Sequence, residues 1–311
     1  MAARSTDTDD CGIQTRITTE GPLVALWSVR GAPHVHSVNN LDVVRDALAP
    51  RPSDDTGPSY PAVVDEVAAL FGEIVTEPIP KAEVSAVIAA RSRPGLTAWC
   101  SRCDSRHVPE QLFRDAGRQA QVILAPTGDR STVLSPTPAV TQTRSTDPLR
   151  DFVAAYVRVN GPTTRIQVRN WMTVGNEALS QVWHQIERVR VMMDGKRLEL
   201  PTNLARDVCE AKPPRGVALV PPNDPYLRQV DRTLLLPDPD RRKRVFRPSS
   251  APGALLIDGE VAGTWRLHRK KSELTVSPFE PIDAGYEESL SRCASAFAVG
   301  SGEDEPSIVV M

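Results

Sequence analysis

Cysteines, aromatic residues and long apolar runs are all scarce in this chain. Five cysteines among 311 residues are an odd number, which argues against a disulfide framework and predicts reduced thiols. The apolar runs are short and interrupted by charges, whereas a membrane-spanning helix needs about 20 mostly apolar residues. The first twenty residues carry Asp7, Asp9 and Asp10 and lack the apolar stretch of a secretory signal. We therefore expect a cytoplasmic protein without a membrane partner.

Common enzyme signatures are also missing. The sequence contains no GxxxxGK[ST], GxGxxG, HExxH or GxSxG segment. These patterns carry nucleotide hydrolysis, dinucleotide chemistry, zinc proteolysis and esterase chemistry, respectively. None of these activities has support in this sequence.

The formal net charge of −2 conceals an uneven distribution of charge. Residues 151–271 contain 21 Lys and Arg against 13 Asp and Glu, so this stretch carries +8. A local basic face that binds nucleic acid is one interpretation. A solvated arginine-rich surface is the other, and charge alone does not separate them.

The clearest structural pattern lies between Thr146 and Pro201. Asp147 and Pro148 predict the start of a helix, a capping box at Thr164 and Gln167 predicts a second helix through Trp171, and Asn176 can cap a third. A strand from Arg188, a tight Asp194-Gly195 turn and a return strand follow. Three helices and a hairpin are typical of a winged helix-turn-helix.

A fainter copy precedes this unit, and a different pattern follows it. The spacing predicts helices over 63–71, 81–91 and 108–116 with strands at 121–124 and 132–134, and a shorter helix at 41–48. Beyond Pro214, apolar runs at 217–220, 233–236, 254–257, 261–267 and 274–276 predict a small β-barrel, then a closing helix over 283–297 and a frayed acidic tail. The expected fold class is α+β, with tandem winged helix-turn-helix units followed by a small C-terminal β-barrel. The predicted domains are an N-terminal, trimmed winged-helix unit that contains Gln14 (1–50), a second winged helix with a linker (51–145), a third winged helix (146–205), the barrel (206–282) and a C-terminal helix and acidic tail (283–311).

Cys100, Cys103 and His107 are three candidate metal ligands within eight residues. A closed structural zinc site takes four ligands, and the sequence offers no second cysteine pair. The flanks also lack the strand and helix context of a thioredoxin-like redox centre. We therefore expect no metal and no other cofactor from the sequence.

Polar residues crowd together in the segment Leu26 to His36. Strand alternation would place Arg30, His34 and His36 on one face, while Gly31 and Pro33 bend the chain. Such a cluster can point outward from a scaffold as a binding site, although a surface arginine and histidine pair without a role is the more common case. Spacing alone leaves both interpretations open.

Four stretches of the sequence together resemble the AlkZ/YcaQ-like winged-helix DNA glycosylases, especially the actinobacterial members. They are LWSVRGAPHVH from Leu26, WCSRCDSRHVPEQLFR from Trp99, LVPPNDPYL from Leu219 and GALLIDGEVAGTW from Gly253. The resemblance implies tandem winged helices, a small C-terminal barrel and a concave surface for duplex DNA. It also implies cleavage of the N-glycosidic bond of alkylated purines, without a metal or an organic cofactor.

The catalytic motif of that family is Gln-x-Gln or Gln-x-Asp, and the matching place in this chain is Gln14-Thr15-Arg16. An amide can position a water molecule, whereas a guanidinium cannot act as a base. The resemblance thus implies Gln14 and Arg16 as the catalytic pair, with a departure at Arg16. As DNA contacts it favours Arg30, His34 and His36, together with Arg165, Arg169, Arg266, Arg269 and Lys270.

The functional prediction is a monofunctional DNA glycosylase that binds damaged, alkylated double-stranded DNA as a monomer associated with the nucleoid. Bulky adducts and crosslinks remain open as lesions beside small alkyl groups. The alternative is a non-catalytic winged-helix DNA-binding protein, either a regulator or a lesion sensor, and Arg16 is the residue that favours it.

Overall fold

A computed structural model describes residues 17–19, 21–51, 57, 59–125, 127, 131–139, 144–222, 224–228, 232–301 and 305–311. The helices are α1 Leu41–Ala47, α2 Tyr60–Ile74, α3 Lys81–Arg91, α4 Glu110–Gln119, α5 Pro148–Asn160, α6 Arg165–Met172, α7 Asn176–Trp183, α8 Ala205–Glu210, α9 Arg232–Leu235, α10 Pro239–Val245 and α11 Glu287–Ser301. The strands are β1 Leu23–Trp27, β2 Pro33–Ser37, β3 Ile79–Pro80, β4 Ala98–Cys100, β5 Ser105–His107, β6 Ile123–Ala125, β7 Val133–Ser135, β8 Arg188–Met193, β9 Lys196–Pro201, β10 Val217–Val220, β11 Gly253–Ile257, β12 Glu260–His268, β13 Glu273–Pro278 and β14 Ser307–Val310.

The described residues form two compact units, and the fold is mixed α+β as expected. One unit runs from residue 17 to 191 with 197–202, and the other from 203 to 311 with 192–196. None of the helices in the described part of the chain is long and apolar enough to span a bilayer. The finer division into five domains remains a prediction.

The predicted succession of three helices and a hairpin is present as α5, α6, α7 and the pair β8–β9. Asp147 accepts a hydrogen bond from the Arg150 amide (3.1 Å) at the start of α5, and Pro148 is the first helical residue. The capping box between Thr164 and Gln167 is complete in both directions at the start of α6. The third helix differs slightly from the prediction, because it begins at Asn176 after Gly175 instead of being capped by Asn176.

The apolar faces of these helices and of α1 meet β1 in a single core. Buried side chains from β1, α5, α6 and α7 line it, including Leu26, Val153, Val168 and Leu179. The periodicity that predicted the helices is therefore the periodicity of burial, since residues three and four apart share a helix face.

The upstream copy is also helical, and its helices enclose a second core. Helix α3 has the predicted bounds, and α2 contains the predicted stripe with Phe71 fully buried. Helix α4 begins at Glu110, two residues later than predicted. The strands join β1 and β2 in one five-stranded sheet of order β2-β1-β6-β7-β3.

A buried ion pair within α4 belongs to a hydrogen-bond network that reaches α2. The Arg118 guanidinium contacts the Asp115 carboxylate at 2.7 Å, and both side chains are less than a tenth exposed. Asp115 also accepts hydrogen bonds from the Tyr60 hydroxyl and from Gln111 (both 2.8 Å), so both of its carboxylate oxygens have partners. A buried charge without these partners would cost several kcal/mol, so this network fixes how α2 meets α4.

The C-terminal unit differs from the predicted barrel. Its sheet has the order β10-β11-β12-β13-β14, and within the described residues the edge strands β10 and β14 do not pair. The sheet is therefore open. Strand β14 pairs in parallel with β13 and forms one edge of the sheet.

Two further elements of this unit contradict the sequence predictions. The run at 233–236, predicted as a strand, lies almost entirely in helix α9, because a four-residue apolar run does not distinguish a strand from a helix turn. The predicted frayed tail contains the strand β14. The basic helix α10 was not predicted, although Asp238 followed by Pro239 is a capping signal, and the Asp238 carboxylate accepts hydrogen bonds from the Asp240 and Arg241 amides.

Close packing restricts which residues can stand in the segment from Gly253 to Trp265. A Cβ atom at Gly253 would lie 2.3 Å from the Trp265 ring, so no other residue fits there without rearrangement. The Trp265 indole is buried and donates a hydrogen bond to the Val220 carbonyl (3.0 Å). Asp258 and Gly259 form the predicted hairpin turn with φ of 50° and 85°.

Candidate nucleic-acid interface

The hairpin β1–β2 brings two of the predicted site residues together. Strand β1 is largely buried, and β2 pairs with it in the register Val24↔His36 and Leu26↔His34. Alternate residues of a strand share a face, so His34 and His36 lie side by side with ring centroids 6.3 Å apart. This part of the strand prediction is confirmed.

Arg30 is not on that strand face, which corrects the prediction. It lies in the turn Val29–Gly31 between the two strands, with φ of 59°, a left-handed conformation that residues with side chains seldom adopt. Its guanidinium is exposed and donates a hydrogen bond to the Asn170 carbonyl (2.6 Å) in the last turn of α6. A positive group near a helix C-terminus is favourable electrostatically. Arg30 thus joins the hairpin to α6.

An aromatic row connects the same two elements to α5. His34 meets the edge of Trp171 at 6.2 Å between centroids, and Trp171 packs on Tyr156 at 4.4 Å. Burial raises the pKa of the Tyr156 hydroxyl. The row formed by His36, His34, Trp171 and Tyr156 therefore fixes α6 against the hairpin. The sequence predicted that the second helix runs through Trp171 but did not indicate this row, because nothing in the spacing relates Trp171 or Tyr156 to His34.

The two histidines differ in their hydrogen bonding. Nδ1 of His34 lies 2.9 Å from the Ala32 carbonyl and must donate there, because a carbonyl oxygen only accepts. Nε2 of His36 is buried and has no hydrogen-bond partner among the described residues. Burial, assisted by the nearby His34, lowers the pKa of His36 to about 4. His36 is therefore neutral at pH 7.

This shift predicts a pH dependence of stability. The folded pKa of His36 is below its ordinary value of 6.5, so the unfolded chain binds more protons between pH 6.5 and about 4. The free energy of unfolding should fall with acid in that window, by on the order of 2 kcal/mol from this residue at pH 4.5. Urea melts at pH 7 and 4.5 should show a smaller acid loss for His36→Gln than for the wild type. The variant His184→Gln, at an exposed histidine, should match the wild type, and equal acid losses in all three proteins would contradict the assignment.

Helix α6 carries the two arginines that were predicted to contact phosphates. Arg165 donates to the Ser180 hydroxyl on α7 (2.8 Å), and Arg169 donates to the Asn170 side-chain carbonyl (3.2 Å). Both partners are neutral, so these bonds hold the guanidinium groups without cancelling their charge. Ile166, between them in sequence, is 61% exposed. One face of α6 thus presents two partly exposed cations, as the sequence predicted.

The remaining predicted contacts lie in the C-terminal unit. Arg266 donates to the Ser250 carbonyl (2.6 Å), and Arg269 and Lys270 lie in an exposed turn after β12. The unpredicted helix α10 adds further cations, of which Arg241 pairs with Glu280 and Arg244 stacks on Phe279 at 4.8 Å. A pocket of about 510 Å³ in the same unit is lined by Arg232, Arg247, Ser250 and apolar residues. The excess of positive charge counted in the sequence is therefore partly located on one helix.

The predicted catalytic pair Gln14 and Arg16 lies outside the described residues. The described chain begins at Ile17, which forms a bridge with Leu23 at the start of β1. Gln14 stands three residues before Ile17 in the sequence. Residues 17–22 separate the motif from β1, which pairs with the strand β2 that carries His34 and His36.

Cys100, Cys103 and His107 form a cluster of metal-ligand type, with one ligand atom from each residue and all three atoms within 4.8 Å of one another. It lies on the hairpin β4–β5. No residue of this cluster belongs to the hairpin β1–β2 or to α6.

The chain belongs to a family of DNA-repair proteins. The sequence profile described as DNA glycosylase AlkZ-like matches residues 1–299, and the family is therefore established. Among solved structures, the DNA glycosylase AlkZ of Streptomyces sahachiroi is similar to this chain, with a TM-score of 0.70 and 16% sequence identity over 100% of this chain and 86% of that one. At this identity the likeness concerns the fold. A search of curated proteins finds no match.

Proposed function

We propose that this protein is a monofunctional DNA glycosylase that hydrolyses the N-glycosidic bond of N-alkylated purines in duplex DNA. The observation that carries the proposal is the family match over residues 1–299, because it includes the Gln14 motif as well as both compact units. Family membership makes DNA the substrate. We propose in addition that the base removed is alkylated, that water cleaves the bond, and that the residues named below carry out the reaction.

The proposed chemistry suits a motif without a strong base. A purine alkylated at N7 or N3 is cationic, so it leaves as a neutral base when the glycosidic electron pair moves to its ring. Water then bonds to C1′ of the sugar and releases a proton to solvent. The Gln14 amide oxygen accepts a hydrogen bond from that water molecule and orients it, which is a task for a neutral acceptor.

Arg16 is unfavourable in this scheme. Its guanidinium has no acceptor, and its positive charge opposes the positive charge that develops on the sugar. An Arg16 side chain turned toward the phosphates instead would bind the DNA backbone. Substitution of Arg16 separates these two roles.

The proposed DNA-binding surface includes α6 and the hairpin β1–β2. We take α5, α6, α7 and β8–β9 as a winged helix whose α6 cations, Arg165 and Arg169, contact phosphates. Arg30 and the half-buried His34 extend this surface from the hairpin, whereas the buried Nε2 of His36 makes it a supporting residue. Arg266, Arg269 and Lys270 are the proposed phosphate contacts of the C-terminal unit.

Product analysis tests the enzyme class. The wild-type protein, which we propose is a monomer, is incubated with three duplexes. They carry a single N7-methylguanine, a bulky N7 adduct or an interstrand crosslink. We expect an abasic site in a strand that stays intact until alkali is added, because water is the nucleophile and no lyase amine is invoked. Strand nicking without alkali would contradict the monofunctional assignment, and the ranking of the three substrates defines the lesion.

A second candidate function rests on Arg16. If the guanidinium disables the motif, the protein binds lesions without cleaving them, as a sensor or a regulator. Tight binding of alkylated duplex without release of base by the wild type would favour this candidate, and release by Arg16→Gln would show that the guanidinium is the cause.

A further inference from the structure

The hairpin β4–β5 has no hydrophobic support of its own. Its strands are three residues long, and it lies between α3 and α4 with the register Ala98↔His107 and Cys100↔Ser105. From Ala98 to Arg106 every residue is exposed except Cys100, and Trp99 is 59% exposed. A two-stranded hairpin of this size is at best marginally stable in water. Interactions other than apolar burial must therefore hold it.

Three side chains of the hairpin can bind metal, and two of them are its less exposed ones. Cys100 and His107 are half-buried at the ends of the two strands, and Cys103 lies in the turn between them. The turn closes at Asp104, which has φ of 51°. One sulfur from each cysteine and one histidine nitrogen lie within 4.8 Å of one another. Tetrahedral zinc, with bonds of about 2.3 Å to sulfur and about 2.0 Å to nitrogen, needs ligand atoms somewhat less than 4 Å apart, so small movements suffice.

His107 is already oriented as a ligand. Its Nδ1 lies 2.8 Å from the Val108 carbonyl and must donate a hydrogen bond there. This bond fixes the tautomer, so Nε2 carries the lone pair when the ring is neutral. Ligating histidines usually donate their other nitrogen to such a carbonyl or carboxylate, which also raises their basicity.

The sulfur of Cys100 already has polar neighbours. The backbone amides of Cys103 and Arg102 direct hydrogen bonds at it, and the His107 ring also lies within hydrogen-bond reach of it. Both cysteines would bind a divalent cation as thiolates and release their protons to solvent.

We propose that this hairpin is a zinc site in which Cys100 Sγ, Cys103 Sγ and His107 Nε2 bind Zn²⁺ and a water molecule supplies the fourth ligand. Two thiolates and a neutral imidazole neutralise the ion and select a borderline-soft metal over Mg²⁺ or Ca²⁺. The expectation of no metal rested on the count of protein ligands, but this cluster is at the surface, where water reaches the fourth position. The metal holds a hairpin that displays Trp99 and Arg106 to solvent.

Metal analysis of the full chain tests the proposal. Tag-free protein is expressed with added zinc, passed through a column free of chelator and measured by inductively coupled plasma mass spectrometry. We expect about one zinc per chain in the wild type and less than about a tenth in Cys103→Ser and in His107→Ala, because three ligands do not tolerate the loss of one. The variant Cys209→Ser removes an exposed cysteine of α8 and should keep its zinc.

A second measurement excludes an effect of misfolding. Far-ultraviolet circular dichroism should show that all variants remain helical, since the two cores of this unit do not include the cluster. Cobalt substituted into the wild type should give a thiolate-to-metal charge-transfer band that Cys103→Ser weakens. Three results would each overturn the proposal. They are wild-type protein that contains no zinc after incubation with zinc, an unchanged zinc content in Cys103→Ser, and a Cys100–Cys103 disulfide in protein purified without oxygen.

Discussion

Replacing Gln14 by alanine should lower the rate of base release by about 100-fold or more while leaving the affinity for alkylated duplex nearly unchanged. The substitution removes one polar group that positions water in the transition state. Such groups typically contribute a few kcal/mol to catalysis. Single-turnover release and equilibrium binding are measured on the same N7-alkylguanine duplex. Release that is insensitive to Gln14→Ala would mean that the catalytic site lies elsewhere in the chain.

Arg16 provides the companion measurement. If its side chain faces the sugar, Arg16→Gln should raise base release, because the change removes a positive charge beside a developing cation and supplies an acceptor. If the side chain binds phosphate, the same substitution should weaken binding and reduce its salt dependence instead. Thr15→Ser, a neutral change within the motif, serves as the control and should alter neither quantity.

Reversing the charge of both α6 arginines should have the second large effect. The double variant Arg165→Glu and Arg169→Glu should weaken duplex binding about 100-fold at low salt, regardless of sequence. The slope of the logarithm of affinity against the logarithm of salt should become shallower by about 0.9 for each lost phosphate contact. Fluorescence anisotropy with an unmodified and an alkylated duplex measures both quantities.

The control for this experiment keeps the change in net charge but moves it elsewhere. Arg206 on α8 and Arg292 on α11 are both exposed, and Arg206→Glu with Arg292→Glu alters the total charge by the same amount. Equal losses of affinity in both double variants would show that net charge, and not α6, governs binding. Because Arg165 bonds to Ser180, a thermal melt of the α6 variant must accompany the binding data.

Local signals determined how much of the fold was predictable. The capping box at Thr164, the Asp147-Pro148 start and the turn at Asp258-Gly259 act over a few residues, and all three are present in the structure. The parallel pairing of β14 with β13 depends on residues 34 apart in sequence, as in Glu273↔Ser307, and no local pattern indicates it. The barrel prediction did not include this strand, and the sheet is not a closed barrel in the described residues.

In the candidate site, too, local patterns were predictable and long-range contacts were not. Strand alternation correctly placed His34 beside His36, since it depends only on a period of two. It misplaced Arg30, because the left-handed turn at that residue is stabilised by contacts with α6 that the local sequence does not reveal. The cluster of Cys100, Cys103 and His107 was visible as three candidate ligands in eight residues, but the Val108 carbonyl that orients His107 became evident only from the fold.

Detection of the free base is the most direct test of the central claim. A duplex with one N7-alkylguanine is incubated with excess wild-type protein, and the supernatant is analysed by mass spectrometry for the released purine, with the undamaged duplex and Gln14→Ala in parallel. We predict release of the alkylated base by the wild type, at a rate about 100-fold or more above that of Gln14→Ala, and no release of guanine from the undamaged duplex. Release by the wild type no faster than by Gln14→Ala, or no release at all despite binding, would contradict the account.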